Sequence, residues 1–213
     1  YNRRSISSLA SIHLCPTVNG EDNLLREGIS KDVYVVGNSV LDNLTNIKIT
    51  KNNKIIVTLH RREKHHEIEN WLRSVENLAI LYPQYDFILP AHPNPNVQKF
   101  LNVLKQVTVC DPLDHTSFIN ELANCHAVIT DSGGIQEEAA FLGKPCVVCR
   151  DFTERSEGLG THALLCKSYT ELEKIFIKTL NLEPNKVDCP YGDGKTGKKV
   201  TDLLTKHFSL KRK

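Results

Sequence analysis

The run Asp131-Ser132-Gly133-Gly134 joins an apolar stretch, Ala127 to Thr130, to residues with helical spacing. Two adjacent glycines let the backbone approach a ligand closely and take dihedrals other residues avoid. A helix beginning there offers free N–H groups and the positive end of its dipole, a setting suited to phosphate. The Ser132 hydroxyl would add a donor. Taken alone, the turn serves equally as a phosphate cradle or as a glycine turn capped by Ser132 or Asp131. Glu137 and Glu138 are expected in the first turn of a helix over about 134 to 142. There a carboxylate can stabilise the helix start, or accept hydrogen bonds from ribose hydroxyls.

Other ionisable residues follow apolar runs in the same way. Thr58-Leu59 leads into His60-Arg61-Arg62-Glu63, and Pro90-Ala91 leads into His92-Pro93. Cys110 leads into Asp111-Pro112, and Cys149 into Arg150-Asp151. Arg155, a little further on, carries a guanidinium able to neutralise phosphate, although a surface ion pair would explain it by itself. Phe118, expected at the start of a helix, could pack beside a base. Spacing alone makes it an ordinary core aromatic.

These residues need a scaffold that brings strand ends together. Apolar runs at Ile55–Leu59, Asp86–Leu89, Val107–Val109, Ala127–Thr130 and Pro145–Cys149 read as strands. Between them, Ile68, Trp71, Leu72, Val75, Leu78 and Ala79 recur at helical spacing. So do Val97, Phe100, Leu101 and Leu104, and then Phe118, Ile119, Leu122 and Ala123. Further helices are predicted near 169–180 and 197–208. The alternation predicts an α/β fold: a Rossmann-like parallel sheet with helices on both faces and the polar strand ends on one rim. One strand, Val33–Val36, stands out in the first 45 residues, and the polar run 45–54 reads as a linker. The predicted organisation is 1–45 as the end of a preceding domain and crossover, 46–195 as the nucleotide-binding domain, and 196–213 as a helix with a basic tail.

Bulk properties narrow the function. The chain has 213 residues, 40% hydrophobic and 24% charged, the balance of a globular protein. A net charge of +2 gives no argument for nucleic acid or a membrane surface. No apolar run approaches the ~18 residues of a transmembrane helix. The sequence opens at Tyr1 and has no Met, so a segment is expected before it. Seven scattered cysteines fit reduced thiols in the cytoplasm. Cys146 and Cys149 lie three apart in a predicted strand and so point to opposite faces, which argues against a shared metal. No metal or cofactor is expected.

Together the motifs resemble the non-hydrolysing UDP-N-acetylglucosamine 2-epimerases. The match runs through Gly37-Asn38-Ser39-Val40-Leu41-Asp42, Val57 to Glu63, His92 to Val97 and Asp111-Pro112-Leu113. It continues through Thr130 to Glu138, Leu142 to Pro145, Arg150 to Arg155, and Pro190-Tyr191-Gly192-Asp193-Gly194. The resemblance implies a GT-B-like fold of two facing Rossmann-like domains, of which this chain is the C-terminal half. It implies interconversion of UDP-GlcNAc and UDP-ManNAc by elimination and re-addition of UDP, in the cytoplasm, by a homodimer when full length. By the same match Ser132, Gly133, Gly134 and Arg155 would hold the diphosphate, Glu138 the ribose, and Leu113 and Phe118 the uracil. His60 would be the catalytic histidine. Arg61 and His92 would help bind a second, activating UDP-sugar. The family's N-terminal carboxylates would precede Tyr1, so this chain alone is expected to bind UDP without turnover. A hydrolysing 2-epimerase, a GT-B glycosyltransferase donor domain and a non-catalytic UDP-sugar-binding module are the alternatives. Ser156 stands where the family usually has Pro, and Lys64-His65-His66 depart from its pattern after HRRE.

Overall fold

A computed structural model of the protein describes residues 2–60, 67–91, 93–185 and 188–210. It divides into two compact units, Ile47–Asp188 and Tyr1–Asn46 with Cys189–Lys213.

Ile47–Asp188 is built on six parallel strands among the described residues: β3 (Lys54–Thr58), β4 (Asp86–Pro90), β5 (Thr108–Cys110), β6 (Ala127–Thr130), β7 (Cys146–Cys149) and β8 (Ala163–Cys166). Their spatial order is β5-β4-β3-β6-β7-β8. The chain therefore winds outward from β3 in one direction, returns, and winds outward from β6 in the other. Such an order leaves a crevice at the carboxyl ends of the two central strands, the usual ligand position in doubly wound sheets. Ile55↔Ala127 through Thr58↔Thr130 set the register of that central pair.

Both sheet faces are covered, which explains the unbroken apolar runs. One face packs Ile55, Val57, Phe87, Ile129 and Val147 against Trp71, Leu72 and Val75 of α3 (Ile68–Leu81) and Phe176 of α7 (Leu172–Leu180). Ile56, Val128 and Val148 alternate with them and are also fully buried. The other helices of this unit are α4 (Pro95–Gln98), α5 (His115–Asn124) and α6 (Gly133–Phe141).

The sequence expectations fail at several places. The helix expected through Val97 and Leu104 is one turn of α4 followed by a 3-10 turn, Leu101–Val103, and Leu104 is already extended. Strand β8 has no counterpart in the expectations, because Ala-Leu-Leu-Cys lacks β-branched residues and suits a helix as well. Cys146 and Cys149 are both buried in β7. Among the described residues no cluster of His, Cys, Asp or Glu could hold a metal. No helix is long and apolar enough to cross a membrane, again among the described residues.

The other unit contains α1 (Asn2–Leu9), β1 (His13–Cys15), α2 (Val18–Arg26), β2 (Val33–Val35) and α8 (Thr196–Leu210), with β1 and β2 paired in parallel. Only β2 of its first four elements was expected. Gly37 sits at φ 94°, and a Cβ on Gly192 would come within 3.0 Å of its Cα. The two glycines allow the backbones to touch, with Asn38 N donating to Tyr191 O at 2.8 Å. Asp42 then caps α8, accepting from Thr196 N (2.9 Å) and Gly197 N (2.6 Å). Two distant sequence motifs, Gly37–Asp42 and Pro190–Gly194, are thus one packing unit.

Candidate functional site: a phosphate cradle beside a histidine

Strand β6 ends at Thr130, whose hydroxyl pairs with that of Thr58 at 2.6 Å across the central register. Ser132 N donates to Thr130 Oγ1 at 3.0 Å, which turns the chain out of the sheet. Ser132 is the N-cap of α6 with extended dihedrals, and its side chain makes no capping hydrogen bond. The first helical hydrogen bond runs from Gln136 N to Ser132 O at 3.1 Å. The amides of Gly133, Gly134 and Ile135 precede it and form the open, positive end of the helix.

The guanidinium of Arg155 lies directly over Gly133. A Cβ there would be 2.8 Å from Arg155 Cζ and Nε. Glycine at this position makes room for a cation at the helix N-terminus, where an anion would sit. Arg155 is held by Glu137 (Nε to Oε1, 2.9 Å) and by Glu154. Gln136, buried within α6, fixes the loop that carries it. Its Nε2 donates to Arg155 O at 2.8 Å, and its Oε1 accepts from Thr153 Oγ1 at 2.8 Å. Arg155 N donates to the same threonine oxygen at 3.1 Å. Sequence reasoning missed Gln136. The available signal was the pairing of the Thr130–Glu138 motif with the downstream Thr153-Glu154-Arg155, which implies contact between them.

Glu137 and Glu138 do not lie in the first turn of α6. The helix starts at Gly133, so they fall in its second turn and are buried, with Glu137 reaching Arg155. Burial raises the Glu138 carboxyl above the usual carboxylate range, with Glu137 adding to the effect and His115 opposing it. His115 Nε2 stands 3.8 Å from Glu138 Oε1. That contact ties the first turn of α5 to α6. Phe118 is the fourth residue of α5 rather than its first, because Asp114 caps the helix by accepting from Ser117 N at 3.0 Å. Leu113 and Phe118 are half-buried.

On the adjacent strand, His60 follows β3 and is half-exposed. Its backbone N–H donates to Asp131 Oδ2 at 2.8 Å, and its Nδ1 lies 3.7 Å from Asp131 Oδ1. His60, Asp131, Ser132, Gly133 and Arg155 therefore share the central crevice. Arg61 and His92 lie outside the described residues.

A family model described as UDP-N-acetylglucosamine 2-epimerase matches residues 1–205. The chain belongs to this family. A UDP-N-acetylglucosamine 2-epimerase of Neisseria meningitidis is 37% identical over 97% of the chain, which spans 64% of that relative's length. The Neisseria meningitidis UDP-GlcNAc 2-epimerase structure bound to UDP-GlcNAc superposes with a TM-score of 0.81 at 34% identity, over 96% of this chain and 64% of that one. The S. aureus MnaA–UDP co-structure gives 0.82 at 29% identity, over 98% and 62%. These neighbours have GT-B-like folds, and the chain carries the family's parallel sheet with helices on both faces.

Proposed function

We propose that the protein spanned in part by this chain interconverts UDP-GlcNAc and UDP-ManNAc, and that Ile47–Asp188 is its UDP-binding part. The observation that carries this reading is the Arg155 guanidinium seated over Gly133 at the N-terminus of α6, beside His60 on the neighbouring strand. A diphosphate there meets three helix amides, the Ser132 hydroxyl and a guanidinium. These are the groups needed when UDP departs. In that step the C1–O bond breaks, the oxygen keeps the electron pair, and charge grows on the β-phosphate.

In the same elimination the C2 proton passes to a carboxylate base of the preceding domain, giving 2-acetamidoglucal, and an acid on the opposite face returns a proton to C2 as UDP adds back. His60 serves this chemistry from the rim. Glu138 accepts from ribose hydroxyls, while Leu113 and Phe118 flank the uracil. Arg61 and His92 are assigned by resemblance to a second UDP-sugar. Tyr1–Asn46 with Cys189–Lys213 belongs to the preceding domain, and Ile47–Asp188 binds the nucleotide. The full-length protein is a cytoplasmic homodimer that needs no cofactor.

Calorimetry with UDP, UMP and uridine tests the cradle: UDP should bind, UMP more weakly, and Arg155→Ala should abolish the difference. Equal affinity for UDP and uridine would remove the diphosphate site. Product NMR on the full-length protein tests the reaction. ManNAc that stays nucleotide-linked is the expected result, whereas free ManNAc would make the protein a hydrolysing 2-epimerase.

A further inference from the structure

His60 lies two residues beyond β3 and Asp131 one residue beyond the neighbouring β6. Asp131 is 1% exposed. A carboxylate that deep is costly unless its oxygens meet donors. Oδ2 takes the main-chain N–H of His60 at 2.8 Å, and Oδ1 faces Nδ1 of the same residue at 3.7 Å. The carboxylate thus holds the His60 main chain through Oδ2 and faces its ring with Oδ1. Its own position is fixed from below, since Asp131 N donates to Thr58 O at 3.1 Å and the Thr58–Thr130 hydroxyl pair joins the strands.

We propose that Asp131 is a positioning residue for His60, anchoring its main chain and selecting the imidazole form protonated at Nδ1, so that Nε2 is the nitrogen that meets the UDP-sugar. This rests on the reading of the rim as a UDP-sugar site. An ionised carboxylate only accepts, so the ring atom facing it is a donor. In a neutral imidazole that choice leaves the lone pair on the other nitrogen. The 3.7 Å separation is longer than a hydrogen bond. A ligand that excludes water strengthens the attraction across that gap. The backbone grip keeps the carboxylate from following the ring elsewhere. Sequence reasoning placed Asp131 in the phosphate-binding turn or as a candidate helix cap, and Ser132 is the N-cap.

Imidazole nitrogen NMR of the 15N-labelled chain at neutral pH tests this, with His60→Gln used to assign the signal. In the unsubstituted chain His60 should be chiefly protonated at Nδ1, and more so with UDP bound. Asp131→Asn keeps an acceptor for the backbone N–H but loses the charge. It should shift His60 toward a mixture of tautomers. A dominant Nε2–H form in the unsubstituted chain would overturn the proposal, as would an unchanged tautomer in Asp131→Asn. If Asp131→Asn does not fold, the unsubstituted chain still decides. Failure of the chain to bind UDP in calorimetry would strike the functional reading instead, and would leave the tautomer result to stand by itself.

Discussion

A Cβ on Gly133 would lie 2.8 Å from the guanidinium carbon of Arg155. The obstructing group is the far end of a flexible side chain, so the fold can accommodate the methyl by moving the arginine. The anion site cannot, because the arginine is then displaced from the helix N-terminus. Gly133→Ala is expected to melt within a few degrees of the unsubstituted chain and to weaken UDP binding by about tenfold or more, the worth of one charge-assisted contact. Calorimetry paired with thermal melts checks both halves. Unchanged UDP affinity would mean that Arg155 serves only its ion pairs with Glu137 and Glu154.

Gln136 acts on the same arginine from within the helix. Its amide makes two hydrogen bonds of 2.8 Å to the Thr153–Arg155 loop. Gln136→Ala removes both and leaves half-buried partners short of a hydrogen bond, at a cost of about 1–2 kcal/mol in unfolding free energy. Gln136→Glu keeps the acceptor for Thr153 and loses the donor to Arg155 O. UDP affinity should fall in both variants although Gln136 is not assigned to the ligand. Urea titration gives the stability change and calorimetry the affinity. A stability loss with normal affinity would confine Gln136 to a structural role.

Much of this arrangement was legible because its residues sit at strand ends. A buried strand is an apolar run, and a parallel sheet sends each run's following residues to one rim, so His60 and Ser132–Gly134 could be placed together before any coordinates. Helix α6 starts at Gly133 rather than near 134, and Glu137 and Glu138 both fall in its second turn. Gln136 and Asp131 were less legible, because their function is to hold other residues. A glutamine inside a helix carries no pattern of its own, and its partners Thr153 and Arg155 lie 17 and 19 residues away. Strand β8 and the elements before β2 were too short or too ambiguous in composition to declare themselves.

Lys144 offers a control at the opposite end of the sheet. It is buried, and its ammonium donates to Thr50 O and to Cys125 O (3.0 Å). Those residues precede β3 and β6, and Lys144 precedes β7, so all three lie at the amino ends of strands. Desolvation lowers the Lys144 pKa and pushes the neighbouring Cys125 thiol up to about 12. Lys144→Met retains the apolar stem and strands two carbonyls, which should cost about 2–3 kcal/mol. The dissociation constant for UDP should stay within about twofold, since a four- or five-residue strand separates this end from the rim by roughly 13–17 Å. A large change in affinity without a change in stability would show that the two ends of the sheet are coupled.

Glu138 links stability and binding through pH. Its folded pKa is raised, chiefly by desolvation. The folded chain therefore holds this proton more tightly than the unfolded chain does. Below the ordinary glutamate value of about 4.3 the group is protonated in both states and costs nothing. As pH rises through that value and then the raised folded one, the buried charge increasingly destabilises the fold. Glu138→Gln cannot ionise. Its melting temperature should match that of the unsubstituted chain near pH 4 and exceed it near pH 7. Binding should move the other way: at pH 7 the variant should hold UDP more weakly, because an ionised carboxylate accepts ribose hydroxyls better than an amide oxygen. A UDP analogue lacking both ribose hydroxyls should bind the two proteins alike. A stabilised variant that binds UDP normally would keep the burial argument and remove Glu138 from the ribose.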